Sequence, residues 1–121
     1  MKSHKDLNAW KASMSLVSEI YRITGTFPKQ ELFGLSSQMR RAAVSIPANI
    51  AEGAARRSTR EFIQFLYVAQ GSLSELETQC LISEDLGYLS KETEKKIESQ
   101  IILIRFQILG LIKALKNKSL Y

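Results

Sequence analysis

Three arginines within five residues, Arg56, Arg57 and Arg60, are the strongest chemical signal in this 121-residue chain. A guanidinium presents a planar fork of N–H donors that matches phosphate oxygens. Ser58 through Glu61 has the pattern of a helix start, and the first backbone N–H groups of a helix favour anions. Only Glu52 and Glu61 stand nearby to compensate the charge. The chemistry implied is phosphate contact, set against the plainer reading of solvated charge. Arg40 and Arg41 add two more cations upstream, with Arg40 turned about 100° from Arg41 toward solvent.

A second constellation is a polar row, Gln38, Arg41, Ser45, Asn49, Glu52 and Arg56, recurring at steps of three or four. On a helix these positions share one narrow arc. A facing row, Glu61, Gln64, Ser72, Glu75 and Gln79, follows downstream. If the chain reverses near Arg57 and Ser58, Arg41 lies beside Glu75, Gln38 beside Gln79, and Ser45 near Gly71 and Ser72. The small Gly71 and Ser72 would let the two helices approach closely. Gln38, Ser45, Asn49, Glu52, Glu75 and Gln79 are therefore either a structural seam or a recognition surface. In the first case Arg41–Glu75 is an ion pair that specifies register.

Catalytic groups are sparse. His4 is the only histidine, and Cys80 the only cysteine, on an apolar row where an inert buried thiol is expected. No Glu-x-x-His pair offers metal ligands, and Gly53 stands alone instead of within a Gly-rich phosphate loop. No metal, no cofactor and no enzymatic activity are expected. Trp10, Tyr21 and the phenylalanines fall on seam positions and read as core.

Four helices must position these residues. The first runs from Asp6, its N-cap, to Thr24, with Leu7, Trp10, Met14, Val17, Tyr21 and Thr24 as its seam. Gly25 and Pro28 end it. The second runs from Leu35 to Ala55 on the apolar row Leu35, Met39, Ala43, Ile46 and Ile50. Pro47 inside it removes the bond to the Ala43 carbonyl, which predicts a kink, with two short helices as the alternative. The third starts at Ser58, with Ser58 and Glu61 as a capping box, and ends at Gly87. The fourth runs from Ser90 to about Lys116, with Lys113, Lys116 and Lys118 complementing its C-terminal dipole. Its seam is Ile97, Ile101, Ile104, Ile108, Leu111 and Leu115. A second apolar row, Ile102, Leu109 and Ile112, exceeds what one neighbour can bury and is assigned to a subunit interface. Short connections make consecutive helices antiparallel. The fold class is all-α, an up-down-up-down four-helix bundle, with residues 1–121 as one domain.

The net charge is +5, and residues 1–57 hold the whole excess, so a basic partner-facing surface should involve the first two helices. One cysteine excludes an intramolecular disulfide framework and points to a reducing compartment. The N-terminus lacks an apolar signal core. The stretch from Ile97 to Leu115 is broken by Glu98, Gln100, Arg105, Gln107 and Lys113, too polar for a membrane span.

The run FP-x-x-E-x-x-GL-x-x-Q-x-RRAA-x-SIP-x-NIAEG spans Phe27 to Gly53. R-x-S-x-x-EF-x-x-FL-x-x-A-x-GSL-x-ELETQ follows from Arg56 to Gln79. With DL-x-x-W at Asp6 to Trp10 and LGYL at Leu86 to Leu89, nearly the whole chain resembles the four-helix bundle proteins encoded in intervening sequences of bacterial 23S ribosomal RNA genes. That resemblance implies a bacterial, cytoplasmic bundle that assembles as a homopentameric ring. It also implies kinship with the accessory proteins of diversity-generating retroelements, thought to bind nucleic acid and a reverse transcriptase. The family's name reflects gene location and defines no activity.

The expectation that follows is a non-enzymatic oligomer binding RNA or DNA through Arg40, Arg41, Arg56, Arg57 and Arg60. The rival expectation is a scaffold whose helix surfaces bind a protein partner without nucleic acid. An enzyme using the Arg41–Glu75–Asn49 seam is the remotest of the three.

Overall fold

The computed structural model describes residues 3–119, and all the regular structure among them is helical. The four long helices are α1 (Asn8–Thr24), α2 (Leu35–Ala54), α3 (Thr59–Asp85) and α4 (Lys91–Ser119). Short 3-10 turns at His4–Asp6 and Lys29–Glu31 precede α1 and α2. Consecutive helices run antiparallel. Contacts join α1 to α2, α2 to α3, α3 to α4 and α4 back to α1, so α1 and α3 lie on one diagonal and α2 and α4 on the other.

The caps follow local chemistry. Ser58 Oγ accepts the Glu61 backbone N–H at 3.2 Å, and the Glu61 carboxylate accepts from the Ser58 hydroxyl instead of the Ser58 backbone. Ser90 Oγ likewise accepts the Thr93 backbone N–H at 3.0 Å. At the end of α3, Gly87 adopts φ +81°, the left-handed region that favours glycine. The Tyr88 N–H then reaches the Ser83 carbonyl and the Gly87 N–H the Glu84 carbonyl, a Schellman closure. Asp6 does not cap α1: its carboxylate accepts from Ser3 N in the preceding turn, and Leu7 occupies the cap position without a side-chain bond. Pro47 lies within an unbroken α2.

The core is the apolar row of α2, with Leu66, Leu73 and Leu76 of α3 and Ile97, Ile101, Ile104 and Ile108 of α4. On α1 the seam differs from the periodic reading. Ala9, Ser13, Leu16, Ile20 and Ile23 are buried, while Met14 and Tyr21 stand nearly half exposed. The periodic reading had the right spacing but a phase one residue late: Trp10, Met14, Val17 and Tyr21 stand about 100° around the helix from the buried Ala9, Ser13, Leu16 and Ile20. Ser13 can be buried because its hydroxyl donates to the Trp10 carbonyl at 2.9 Å, leaving no orphan donor. Phe27 and Phe62 are core, but Phe33 and Phe106 are exposed, against the expectation that every phenylalanine is core.

Candidate nucleic-acid interface

Part of the polar row serves the α2–α3 hairpin. Ser45 Oγ meets Ser72 Oγ at 2.8 Å, which confirms the antiparallel register. Asn49 Nδ2 donates to the Ser45 carbonyl at 2.7 Å and to Ser45 Oγ at 2.9 Å. Gly71 does not provide the close approach: it is exposed, with open space where a Cβ would stand. Gly53 does. A Cβ there would lie 2.8 Å from Phe65 Cβ and 2.9 Å from Phe62 Cδ1. The two helices meet across its bare backbone just before the turn.

Arg41 and Glu75 form no ion pair; both are exposed, and Glu75 instead accepts from Gln79 Nε2 at 3.4 Å. Gln79 is only 6% exposed, and its Oε1 has no hydrogen-bond partner. Gln38 is exposed. Glu31, absent from the sequence-based site, accepts the Leu35 N–H at 3.1 Å with one oxygen and the Tyr88 hydroxyl at 3.0 Å with the other. It caps α2 and ties the α1–α2 connection to the α3–α4 turn. That bond, with burial, raises the Tyr88 phenol above its ordinary pKa. No capping pattern in the sequence signals Glu31, which precedes the first residue of α2 by four positions.

The five arginines divide. Arg40 is not turned to solvent. It is half-buried, donates through Nε to Thr24 Oγ1 at 2.9 Å, and lies over the Tyr21 ring. It fastens α2 to α1. Arg56 is compensated within the chain, 2.7 Å from Glu52, 3.9 Å from Glu61 and stacked over Phe65. Arg41, Arg57 and Arg60 are exposed and form no ion pair among the described residues. Arg41 lies more than three helical turns from the α2–α3 turn, so only Arg57 and Arg60 cluster there.

The tertiary structure enlarges that cluster. Antiparallel packing sets the start of α1 beside the end of α2. A depression of about 270 Å³ lined by Leu7, Asn8, Ala9, Gln107 and Leu111 lies where the start of α1 meets the second half of α4. Lys116 Nζ donates to Tyr67 Oη at 3.0 Å, fixing the end of α4 along the first turns of α3. One end of the bundle therefore collects Lys5 and Lys11 from the start of α1, Arg56, Arg57 and Arg60 from the α2–α3 turn, and Lys113, Lys116 and Lys118 from α4. All eight are exposed. Only Asp6, Glu52 and Glu61 accompany them, an imbalance equal to the chain's entire net charge of +5. Charge is thus segregated by bundle end, not by the first two helices as their sequence balance suggested. Lys2 lies outside the described residues.

At the α3–α4 interface the opposite sign gathers. Glu94 is 3% exposed, with Oε1 unpartnered. Burial, then Glu98, Glu84 and Glu77, raise its carboxyl above the usual range. Burial, assisted by Glu94, Glu77 and Glu98, pushes the Cys80 thiol up to about 12, so it is a protonated, inert core group at neutral pH. No group of three His, Cys, Asp or Glu side chains among the described residues is arranged to hold a metal ion. No helix among them is long and apolar enough to cross a membrane.

These features define a small helical bundle with a cationic end and a polar α2–α3 seam. Residues 5–110 match the 23S rRNA-intervening sequence proteins, and the chain belongs to that family. It is also similar to a crystallised protein of unknown function from the S23 ribosomal protein family of Bacteroides thetaiotaomicron. The two are 25% identical over 87% of this chain and 98% of that one, with a TM-score of 0.78. None of the curated proteins matches the chain. Neither relationship names an enzymatic activity.

Proposed function

We propose that this chain is a non-enzymatic, self-associating bundle that binds RNA or DNA by neutralising phosphates at its basic end. The observation that carries the proposal is the convergence of three basic segments, remote in sequence, on one end with few acids among them. Arg57 and Arg60 lead, because they stand at the α3 N-terminus without an ion-pair partner among the described residues. Lys113, Lys118 and Lys5 extend the surface. Arg40 and Arg56, tied into the fold, are positioning residues. Contacts of this kind orient a nucleic acid without reading bases, so selectivity comes from RNA shape. Self-association multiplies weak contacts into avidity. A five-membered ring in the bacterial cytoplasm is what the family resemblance implies.

Fluorescence anisotropy with a structured RNA over a salt series tests this directly. Binding should weaken steeply with salt, and Arg57→Glu/Arg60→Glu should lower the log–log slope by about 1.5 as two phosphate contacts are lost. Lys95→Glu/Lys96→Glu, on the first turns of α4 at the other end, should bind like the unmutated protein. Salt-independent affinity, or equal loss in both variants, would reject the basic end as the site. A second reading, a scaffold for a protein partner, is favoured by one observation: the outer face of α4 exposes Ile102, Leu103, Phe106 and Leu109. It predicts no RNA binding at any salt concentration.

A further inference from the structure

Ile102, Phe106 and Leu109, on the outer row of α4, carry no polar group that could fix a small ligand. Ile112, expected with them at a subunit interface, is only 4% exposed and belongs to the core. The α1–α2 connection differs. A cavity of about 180 Å³ opens there, between the last turn of α1 and the first two turns of α2, at the end of the bundle opposite the basic cluster. Phe27, Pro28 and Leu32 give it apolar walls, and Lys29, Ser36 and Arg40 bring polar groups to it. Pockets for drug-sized ligands run about 300–1,000 Å³, so this one suits a smaller occupant.

The three polar groups are donors without an acceptor. Arg40 is half-buried and held in place by α1. Its Nε donates to Thr24 Oγ1 at 2.9 Å, and its guanidinium carbon lies over the Tyr21 ring, 4.9 Å from the centroid. Thr24 is fixed in turn, because its hydroxyl donates to the Ile20 carbonyl at 2.6 Å. What remains is the edge formed by Nη1 and Nη2, which makes no hydrogen bond or ion pair among the described residues. Ser36 is 2% exposed, and its hydroxyl has no partner among them either. The Lys29 ammonium is exposed and forms no ion pair there. The carboxylates closest along the chain are already engaged, Glu31 by the Leu35 N–H and the Tyr88 hydroxyl, Glu19 by Arg22. A partly desolvated charge without a counter-ion is costly, so this edge favours an anion.

We propose that this cavity binds a small carboxylic acid with a short apolar body, in its ionised form. The Nη1–Nη2 edge of a guanidinium offers two parallel N–H groups that match the two oxygens of a carboxylate. The Ser36 hydroxyl and the Lys29 ammonium supply further donors, and Phe27, Pro28 and Leu32 cover the alkyl or aryl group. Inorganic phosphate would satisfy the donors but leave the apolar walls in water, and a nucleotide is too large for the space. The site is separate from the phosphate contacts at the basic end and does not depend on them.

Titration calorimetry and ligand-observed NMR on the full chain, with isovalerate, benzoate and phenylacetate as probes, test the assignment. At least one of the three acids should bind saturably. Its neutral primary amide should bind about tenfold more weakly or worse, because the charge-assisted bonds are lost. Arg40→Gln should abolish binding. Because Arg40 also fastens α2 to α1, two gentler variants stand beside it: Ser36→Ala, which barely changes the volume, and Lys29→Gln, at an exposed position. Both should keep the helical circular dichroism and weaken the acid by about threefold to tenfold. Lys95→Gln, on α4, should bind like the unmutated protein. The proposal is overturned if none of the three acids binds saturably, or if the amides or inorganic phosphate bind as tightly as the acids. Unchanged affinity in both Ser36→Ala and Lys29→Gln overturns it as well.

Discussion

Along α2, Met39, Ala43, Ile46 and Ile50 recur at steps of four and three and are wholly buried. Along α4, Ile102, Phe106 and Leu109 recur in the same way and stand close to half in solvent or more. The two rows are alike in composition and spacing. What separates them is the partner. The α2 row has α3 pressed against it, with Gly53 bare against Phe62 and Phe65 and Ser45 bonded to Ser72. The α4 helix has already spent Ile97, Ile101, Ile104 and Ile108 on the core, and no element among the described residues covers its outer row. Periodicity tells which side chains share a face; it does not tell what covers the face.

The comparison can be broken first by truncation. Ile46→Ala should cost about 2–5 kcal/mol in urea denaturation, while Phe106→Ala, measured at dilutions where the protein is monomeric, should change stability by less than about 0.5 kcal/mol. Equal losses would mean that the outer row is covered after all. Next comes Gly53→Ala. Its Cβ would collide with the Phe65 Cβ and the Phe62 ring, so a loss of about 1–3 kcal/mol is expected from the same denaturation curves. Gly71, one residue before the Ser72 that touches α2, sharpens the contrast in the opposite direction. With open space beside it, Gly71→Ala should stabilise the helix by up to about 1 kcal/mol. A loss there would show that something packs on α3.

The smallest effect is a pH dependence. Glu94 binds its proton more readily in the folded chain than in the unfolded one, because it is buried and surrounded by Glu98, Glu84 and Glu77. Its contribution is therefore fully present below the unfolded carboxyl value of about 4.5 and is lost as pH rises through the raised folded value. Glu94→Gln should match the unmutated protein in acid and exceed it in stability at neutral pH and above. Parallel curves for the two proteins across that range would refute the assignment. Glu19 works in the other direction, since the Arg22 hydrogen bond lowers its pKa, so the difference between the two proteins is the quantity to follow.

The arginine motif shows how much of the site was legible. Repetition of Gln38, Arg41, Ser45, Asn49, Glu52 and Arg56 located one helix face, and the turn at Ser58 gave the antiparallel register that the Ser45–Ser72 bond confirms. The Arg41–Glu75 pair failed because matching residue numbers places backbones side by side but does not choose rotamers. Two long exposed side chains gain little by being held together in water. Arg40 escaped because its partner, Thr24, is sixteen residues away on another helix. Ile112 escaped because a row with one interior member looks, in sequence, like a row with none.

Hydrophobic period, caps and breakers are local properties, and from them the sequence alone determined four helices, their order and their antiparallel pairing. They act within a few residues, where bonding geometry leaves few alternatives. Only the tertiary structure decided which arginines remain free, that the lysines of α4 join Arg57 and Arg60 at one end, and that the outer row of α4 is left uncovered. Those outcomes depend on which side chains from distant segments reach the same volume first, and packing, not local preference, distributes them.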